Sequence, residues 1–179
     1  MSDLTDLADQ IRRKAVIHEH VVLRSGRESD VYVDLRRISL DGEAAPLVGR
    51  VMLALTESLD FEAVGGPTLG ADPVADAMLH AAAAQGRKLD AFVVRGEQKQ
   101  HGLQRKIEGP DISGRRVLAV EDTCTSGGSV LSAVEAMREA GAEVVGVAVV
   151  VDRDTGARQA VEAAGLSYRF ALSGTELGL

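Results

Sequence analysis

Glu121 and Asp122 stand side by side at the end of the apolar run VLAV (117–120). Directly behind them come hydroxyls and glycines: Thr123, Cys124, Thr125, Ser126, Gly127, Gly128 and Ser129. These residue types suit an anionic sugar. A loop of glycines and small residues lets backbone N–H groups close on a phosphate, and the positive end of a following helix adds to the attraction. Phosphate alone would not call for two carboxylates just upstream, because they would repel it. They make sense where the same ligand carries a sugar diol, whose hydroxyls donate to carboxylates, or a divalent metal. The competing reading is a structural turn with two solvated acids. The register of the flanks counts against it: the apolar run precedes, and Val130, Leu131, Val134 and Met137 follow at helical spacing up to Gly141. The order is strand, acid pair, small-residue loop, helix, and ligands of open α/β sheets sit beyond the carboxyl ends of strands.

The elements that must position this loop are legible around it. Leu4, Leu7, Ala8, Ile11 and Ala15 make a helical stripe with Ser2 or Asp3 as cap. Val21–Leu23 and Val31–Val33 read as short strands around the turn SGRES, and Leu47, Val48, Val51, Met52 and Leu55 give a second amphipathic helix. FEAVGG (61–66) reads as a buried strand, and Asp72–Pro73 as the start of a helix continued by Val74, Ala77, Met78 and Ala81. Ala91–Val94 is a short strand, followed by a polar stretch from Arg95 to Gly114. VVGVAVVV (144–151) is apolar enough for a central parallel strand, residues 156–164 form a last helix, and Ser167–Leu172 an edge strand. Alternation from about residue 61 onward implies βαβ units. The expected fold is α/β: an open, mainly parallel, twisted sheet flanked by helices, one domain over 1–179 with its core at about 60–172. The first 40 or so residues fall outside the alternation and are expected to form a small hood over the carboxyl edge of the sheet.

Composition narrows the function classes. Hydrophobic residues are 45% and charged residues 26% of 179, ordinary for a globular protein. A formal charge of −7 argues against general nucleic-acid binding, which shows as a basic surface. Cys124 is the sole cysteine and cannot close an intrachain disulfide, which suits a reducing cytoplasm; inside the loop it reads as a space-filler rather than a catalytic thiol. No apolar run approaches the roughly 18 residues of a membrane span, so the expectation is a soluble, cytoplasmic protein. Neither G-x-x-x-x-G-K-[ST] nor G-x-G-x-x-G occurs, which weakens ATPase and Rossmann dehydrogenase readings.

The segment 92–109, FVVRGEQKQHGLQRKIEG, carries Arg95, Lys99, His101, Arg105 and Lys106 with almost no apolar periodicity. On spacing alone, a mobile lid whose cations close over an anion and a solvated charged loop stand level. His18, His20 and His80 read as structural.

The acid–acid–x–x–Thr–x–Gly–Gly–Ser pattern resembles the loop with which type I phosphoribosyltransferases bind 5-phosphoribosyl 1-pyrophosphate (PRPP). R-x-x-x-K-x-H-G followed by I-E-G resembles the lid of the orotate phosphoribosyltransferases, and the likeness runs nearly end to end. It implies PRPP contacts from Glu121, Asp122, Thr123–Ser129, Arg95, Lys99 and His101, with Lys99, Asp122 and Arg95 closest to the chemistry. LRSGRES (23–29) resembles the hood motif, placing Arg24 near the base and pyrophosphate. VDR (151–153) places Arg153 where the family binds the orotate carboxylate, with Thr125 as second contact; the bland alternative for Arg153 is an ion pair with Asp152 or Asp154. The resemblance further implies Mg²⁺ carried mainly by PRPP, no metal site of the protein's own, and a homodimer in which one subunit's lid, about 95–114, reaches its partner's site. The implied reaction is orotate plus PRPP to orotidine 5′-monophosphate and pyrophosphate, a step of pyrimidine synthesis. Rival readings are a purine-base transferase of the same fold and a PRPP-sensing regulator without turnover. The chain departs from the family pattern at two positions: Gly96 stands where many members have lysine, and Gly70, in GPTLGAD (66–72), where many have a basic residue.

Overall fold

A computed structural model describes residues 2–17, 21–22, 28–29, 31–96 and 106–179. Ten strands and seven helices lie within them. The N-terminal part holds α1 (Asp3–Lys14), β1 (Val16–Ile17), β2 (Val21–Val22), β3 (Glu28–Ser29), β4 (Tyr32–Val33) and the short α2 (Arg36–Ser39). Then come α3 (Ala45–Leu55), β5 (Ala63–Pro67), α4 (Ala71–Ala84), β6 (Asp90–Val94) and β7 (Ile107–Glu108). The chain closes with β8 (Arg116–Cys124), α5 (Gly128–Glu139), β9 (Glu143–Asp152), α6 (Ala157–Ala163), β10 (Tyr168–Ser173) and α7 (Gly174–Leu177). Six strands form one sheet in the order β10–β9–β8–β5–β6–β7, parallel except for β7.

The unbroken apolar runs of β8 and β9 follow from burial on both faces of this sheet. Side chains alternate in direction along a strand. Leu118, Val120, Ala148 and Val150 therefore join one core with α1, α3 and α4. Their neighbours Val117, Ala119, Val147 and Val149 join the other, under α5 and α6. Ser2 caps α1 by accepting from the Thr5 N–H.

Several expectations are corrected. β8 does not stop at Val120 but runs to Cys124, because β9 stays extended beside it: Glu121 pairs with Val149, Thr123 with Val151 and Cys124 with Asp152. The acid pair is thus held on a strand rather than in a loop. β9 is flanked on both sides, but the middle of the sheet falls between β8 and β5. Helix α4 begins at Ala71, ahead of Asp72, whose Oδ2 accepts from the Thr68 hydroxyl at 2.6 Å instead of capping the helix. The stretch 95–114 is not all loop: β7 pairs with β6, the Arg95 N–H donates to the Lys106 carbonyl at 2.8 Å, and Ile112 is buried in the second core.

At the N-terminus the pairing also differs from expectation. β2 pairs with β3, while β4 pairs with β1. Residues Tyr32–Arg36 reach the carboxyl edge of the sheet, but α1 lies on its flank against α3, tied there by Asp3 and Arg50 at 2.8 Å. The turns α2 and α7 were not expected from periodicity; four residues each are too few to show it.

Candidate active site

Four segments meet at the carboxyl edge: the ends of β5, β8 and β9 and the stretch 32–36. They enclose a cavity of about 610 Å³. β8 brings in Glu121 and Asp122; the loop after it contributes Thr125 and Ser126, and the first turn of α5 contributes Ser129. Gly127 sits at the start of α5 with φ of 84°, a left-handed conformation that glycine adopts without strain and that turns the chain from strand into helix. Cys124, Gly127 and Gly128 shape this loop and do not line the cavity. The Cys124 thiol is buried among apolar side chains, and burial pushes its pKa up to about 11, which suits a space-filler and not a nucleophile.

The acid pair is electrostatically loaded. Glu121 is 7% exposed. Burial first, and the adjoining Asp122 second, push its carboxyl up to about 9. Asp122 is also raised, chiefly by burial, against the pull of the Thr123 N–H on its Oδ1 at 2.6 Å and of the Arg36 charge. Two carboxylates in a poorly solvated site titrate as a pair, and at neutral pH a proton stays on Glu121. A ligand bringing positive charge would favour the ionised form.

Arg153 stands at the β9 end of the cavity. Its N–H donates to the Cys124 carbonyl at 2.9 Å, and the hydroxyl of Thr155 donates to the Thr125 carbonyl at 2.8 Å. The expected alternative of an ion pair with a neighbouring acid is not what the structure has. Asp152 Oδ1 accepts from the Asp154 N–H at 2.9 Å, and Asp154 Oδ2 accepts from the N–H and hydroxyl of Thr175, both at 2.9 Å. Among the described residues the Arg153 guanidinium makes no ion pair.

A family model for the phosphoribosyl transferase domain matches residues 49–163. An orotate phosphoribosyltransferase of Streptomyces avermitilis is 70% identical over 174 residues, 97% of this chain and 96% of that one. The chain belongs to the orotate phosphoribosyltransferases. The Mycobacterium tuberculosis orotate phosphoribosyltransferase, solved in complex with Fe(III) dicitrate, superposes with a TM-score of 0.90 at 56% identity, covering 99% of this chain and 100% of that one. The same enzyme solved in complex with PRPP gives a TM-score of 0.87 at 52% identity, with 99% and 100% coverage.

For an orotate phosphoribosyltransferase the site is brought together unevenly. Glu121, Asp122, Thr123, Thr125, Ser126, Ser129 and Arg153 share the cavity. Arg95 does not: it lies in an adjoining pocket with Gly96 and Glu108, its Nη1 3.5 Å from Glu108 Oε1, and Thr68 lines both spaces. Arg24, Lys99, His101 and Arg105 lie outside the described residues.

The family departure at position 70 has a local cause. A Cβ there would fall 2.5 Å from Asp122 Oδ1, so a side chain at 70 competes with the acid for the same space. Sequence reasoning missed Tyr32, Asp34, Arg36 and Thr155, which also line the cavity. A signal for the first three was present in YVDLRR (32–37), where an acid sits two residues from an arginine at the end of an apolar dyad.

Proposed function

We propose that this cavity transfers the ribose 5-phosphate of PRPP to orotate, releasing pyrophosphate and orotidine 5′-monophosphate, a step of pyrimidine synthesis. The observation that carries the reading is the convergence on one cavity of a small-residue loop at a helix N-terminus, a buried acid pair and an arginine with no ion-pair partner among the described residues. Thr125–Ser129 hold the 5-phosphate through backbone N–H groups and hydroxyls. Glu121 and Asp122 accept from the ribose diol. As pyrophosphate departs, the anomeric carbon takes on oxocarbenium character, and the pair stabilises that charge as it ionises. Arg153 takes the orotate carboxylate through a two-pronged guanidinium contact and Thr125 supplies a second contact, which favours orotate over an uncharged purine. Positioning and electrostatics carry the rate; no covalent intermediate with the protein is required.

Two adjacent carboxylates fall short of the six oxygen ligands that a divalent ion takes. They would fit Mg²⁺ brought by PRPP: Asp122 and Glu121 are the residues that would hold it, and it would supply charge neutralisation of the leaving diphosphate. Arg95, Lys99 and His101 reach the diphosphate from the lid, about 95–114, and the exclusion of water on closure protects PRPP from hydrolysis. The working form is a cytoplasmic homodimer of one-domain subunits with shared sites, Arg24 approaching the base and pyrophosphate from the hood.

The test is transfer from PRPP to orotate, adenine, guanine and uracil, assayed side by side with Mg²⁺ present. Turnover confined to orotate supports the reading. Turnover with a purine instead, or PRPP binding with no turnover on any base, overturns it.

A further inference from the structure

The loop after β5 brings no cation into the cavity for a departing diphosphate, since a side chain at Gly70 would compete with Asp122 for space. Two arginines line the cavity, Arg153 and Arg36. They belong to opposite ends. Arg153 follows β9, on one side of β8; the sheet runs β9–β8–β5. Arg36 opens α2, which packs against α3 and against α4, the helix that follows the β5 loop. Arg36 therefore faces the acid pair from the β5 side, within electrostatic range of Asp122.

Its side chain is also oriented. Nε donates to Asp34 Oδ1 at 2.8 Å, and the same oxygen accepts from the Arg36 N–H at 3.2 Å. Asp34 thus seats one edge of the guanidinium. Nη1 and Nη2 have no hydrogen-bond partner among the described residues. A guanidinium held through Nε with both terminal nitrogens available is arranged for a bidentate contact to phosphate oxygens. A salt bridge serving only local structure would not need to open into the ligand cavity.

We propose that Arg36 binds the diphosphate of PRPP and supplies the positive charge that the family pattern elsewhere places at the position of Gly70. This inference rests on the phosphoribosyl-transfer reading of the cavity. Arg36 holds the leaving group at the far end from Arg153, and Asp34 is its positioning residue.

Direct binding tests it without requiring turnover. Titrating Mg²⁺-pyrophosphate into the protein by calorimetry should show affinity weakened on the order of tenfold or more in Arg36→Ala and in Arg36→Met, which keeps the apolar stem, as expected for loss of a charge-assisted bidentate contact. Arg36→Lys should fall between them and wild type, because it keeps charge but loses the fork. The steady-state KM for PRPP should rise in the same order, while the KM for orotate stays within about twofold; Arg153→Ala should show the reverse. Melting temperatures near wild type identify the loss as local, and a variant that melts early is replaced by whichever of the three does not. Wild-type pyrophosphate affinity in a folded Arg36→Ala or Arg36→Met protein overturns the inference, as does a rise confined to orotate KM. A wild-type protein that binds pyrophosphate through Arg36 but does not use orotate would overturn the proposed reaction and leave Arg36 in place.

Discussion

The main-chain N–H of Arg153 donates to the carbonyl of Cys124 at 2.9 Å, so the turn that presents Arg153 and the loop proposed to bind phosphate form one hydrogen-bonded unit. Thr155 adds a second tie through its hydroxyl to Thr125. The two ties fix the separation of Arg153 and the loop, which is what the proposed reaction between two bound molecules requires.

Removing the Arg153 side chain leaves both ties in place. Arg153→Ala should raise the orotate KM by roughly 10- to 100-fold, the range for a lost hydrogen bond to a charged group, with the PRPP KM nearly unchanged. Thr155→Val breaks one tie and should raise both KM values by a smaller factor. Steady-state kinetics with each substrate varied in turn decide this; a collapse of PRPP affinity in Arg153→Ala with orotate unaffected would refute the assignment.

Much of this site was legible in the sequence because its loop has a fixed residue order and flanks of opposite periodicity. The strand around Val117–Val120 and the helix after Gly128 could be read from those flanks. What could not be read was where the strand ended. Polar residues at 121–123 look like loop in isolation, and only pairing with β9 keeps them extended. Arg36 was missed for a related reason: it lies on a four-residue helix far away in the chain, and only tertiary packing on α4 carries it to Asp122.

The raised carboxyl of Glu121 makes a pH prediction. Burial holds the folded Glu121 carboxyl up to about 9, well above the ordinary glutamate value of 4.5 that an unfolded chain shows, so the folded state holds the extra proton between those limits. Stability falls with rising pH wherever the folded state binds more protons, so Glu121 destabilises the fold progressively from about pH 4.5 to 9. Glu121→Gln cannot ionise. Its melting temperature relative to wild type should increase steadily from pH 6 to pH 8.5 in differential scanning calorimetry, while its kcat falls. A difference independent of pH would show that Glu121 is already ionised at pH 6.

Gly70 and Asp122 make a coupled pair. The backbone at Gly70 has φ of −67° and ψ of −37°, which alanine adopts freely, so any cost of Gly70→Ala comes from its Cβ meeting the Asp122 carboxylate. Overpacking of this kind costs about 1–3 kcal/mol, and moving Asp122 should also lower kcat. In an Asp122→Gly background the same substitution should cost far less, a coupling that a double-mutant cycle in denaturant measures directly. Equal costs in the two backgrounds would mean that the strain lies elsewhere.

Lys99 carries the last prediction, which concerns the proposed shared site. On the proposed reading, in which Lys99 resembles the family lid lysine, Lys99 would act on the departing diphosphate in the partner's cavity and Asp122 on the ribose in its own. Lys99→Ala should cost roughly 2.7–4 kcal/mol of transition-state stabilisation if it behaves like other preorganised donors, and Asp122→Asn should lower kcat on the order of 10²-fold. Each variant would be nearly inactive alone. Mixed in equal amounts and allowed to exchange subunits, they form heterodimers in which one site carries both lesions and the other carries neither. A two-fold dimer then recovers about half of wild-type activity per heterodimer, and up to about 25% for the mixture. Exchange is followed by mass spectrometry of the mixed dimer. If heterodimers form and activity stays at the level of the separate variants, the lysine serves its own subunit and the sites are not shared.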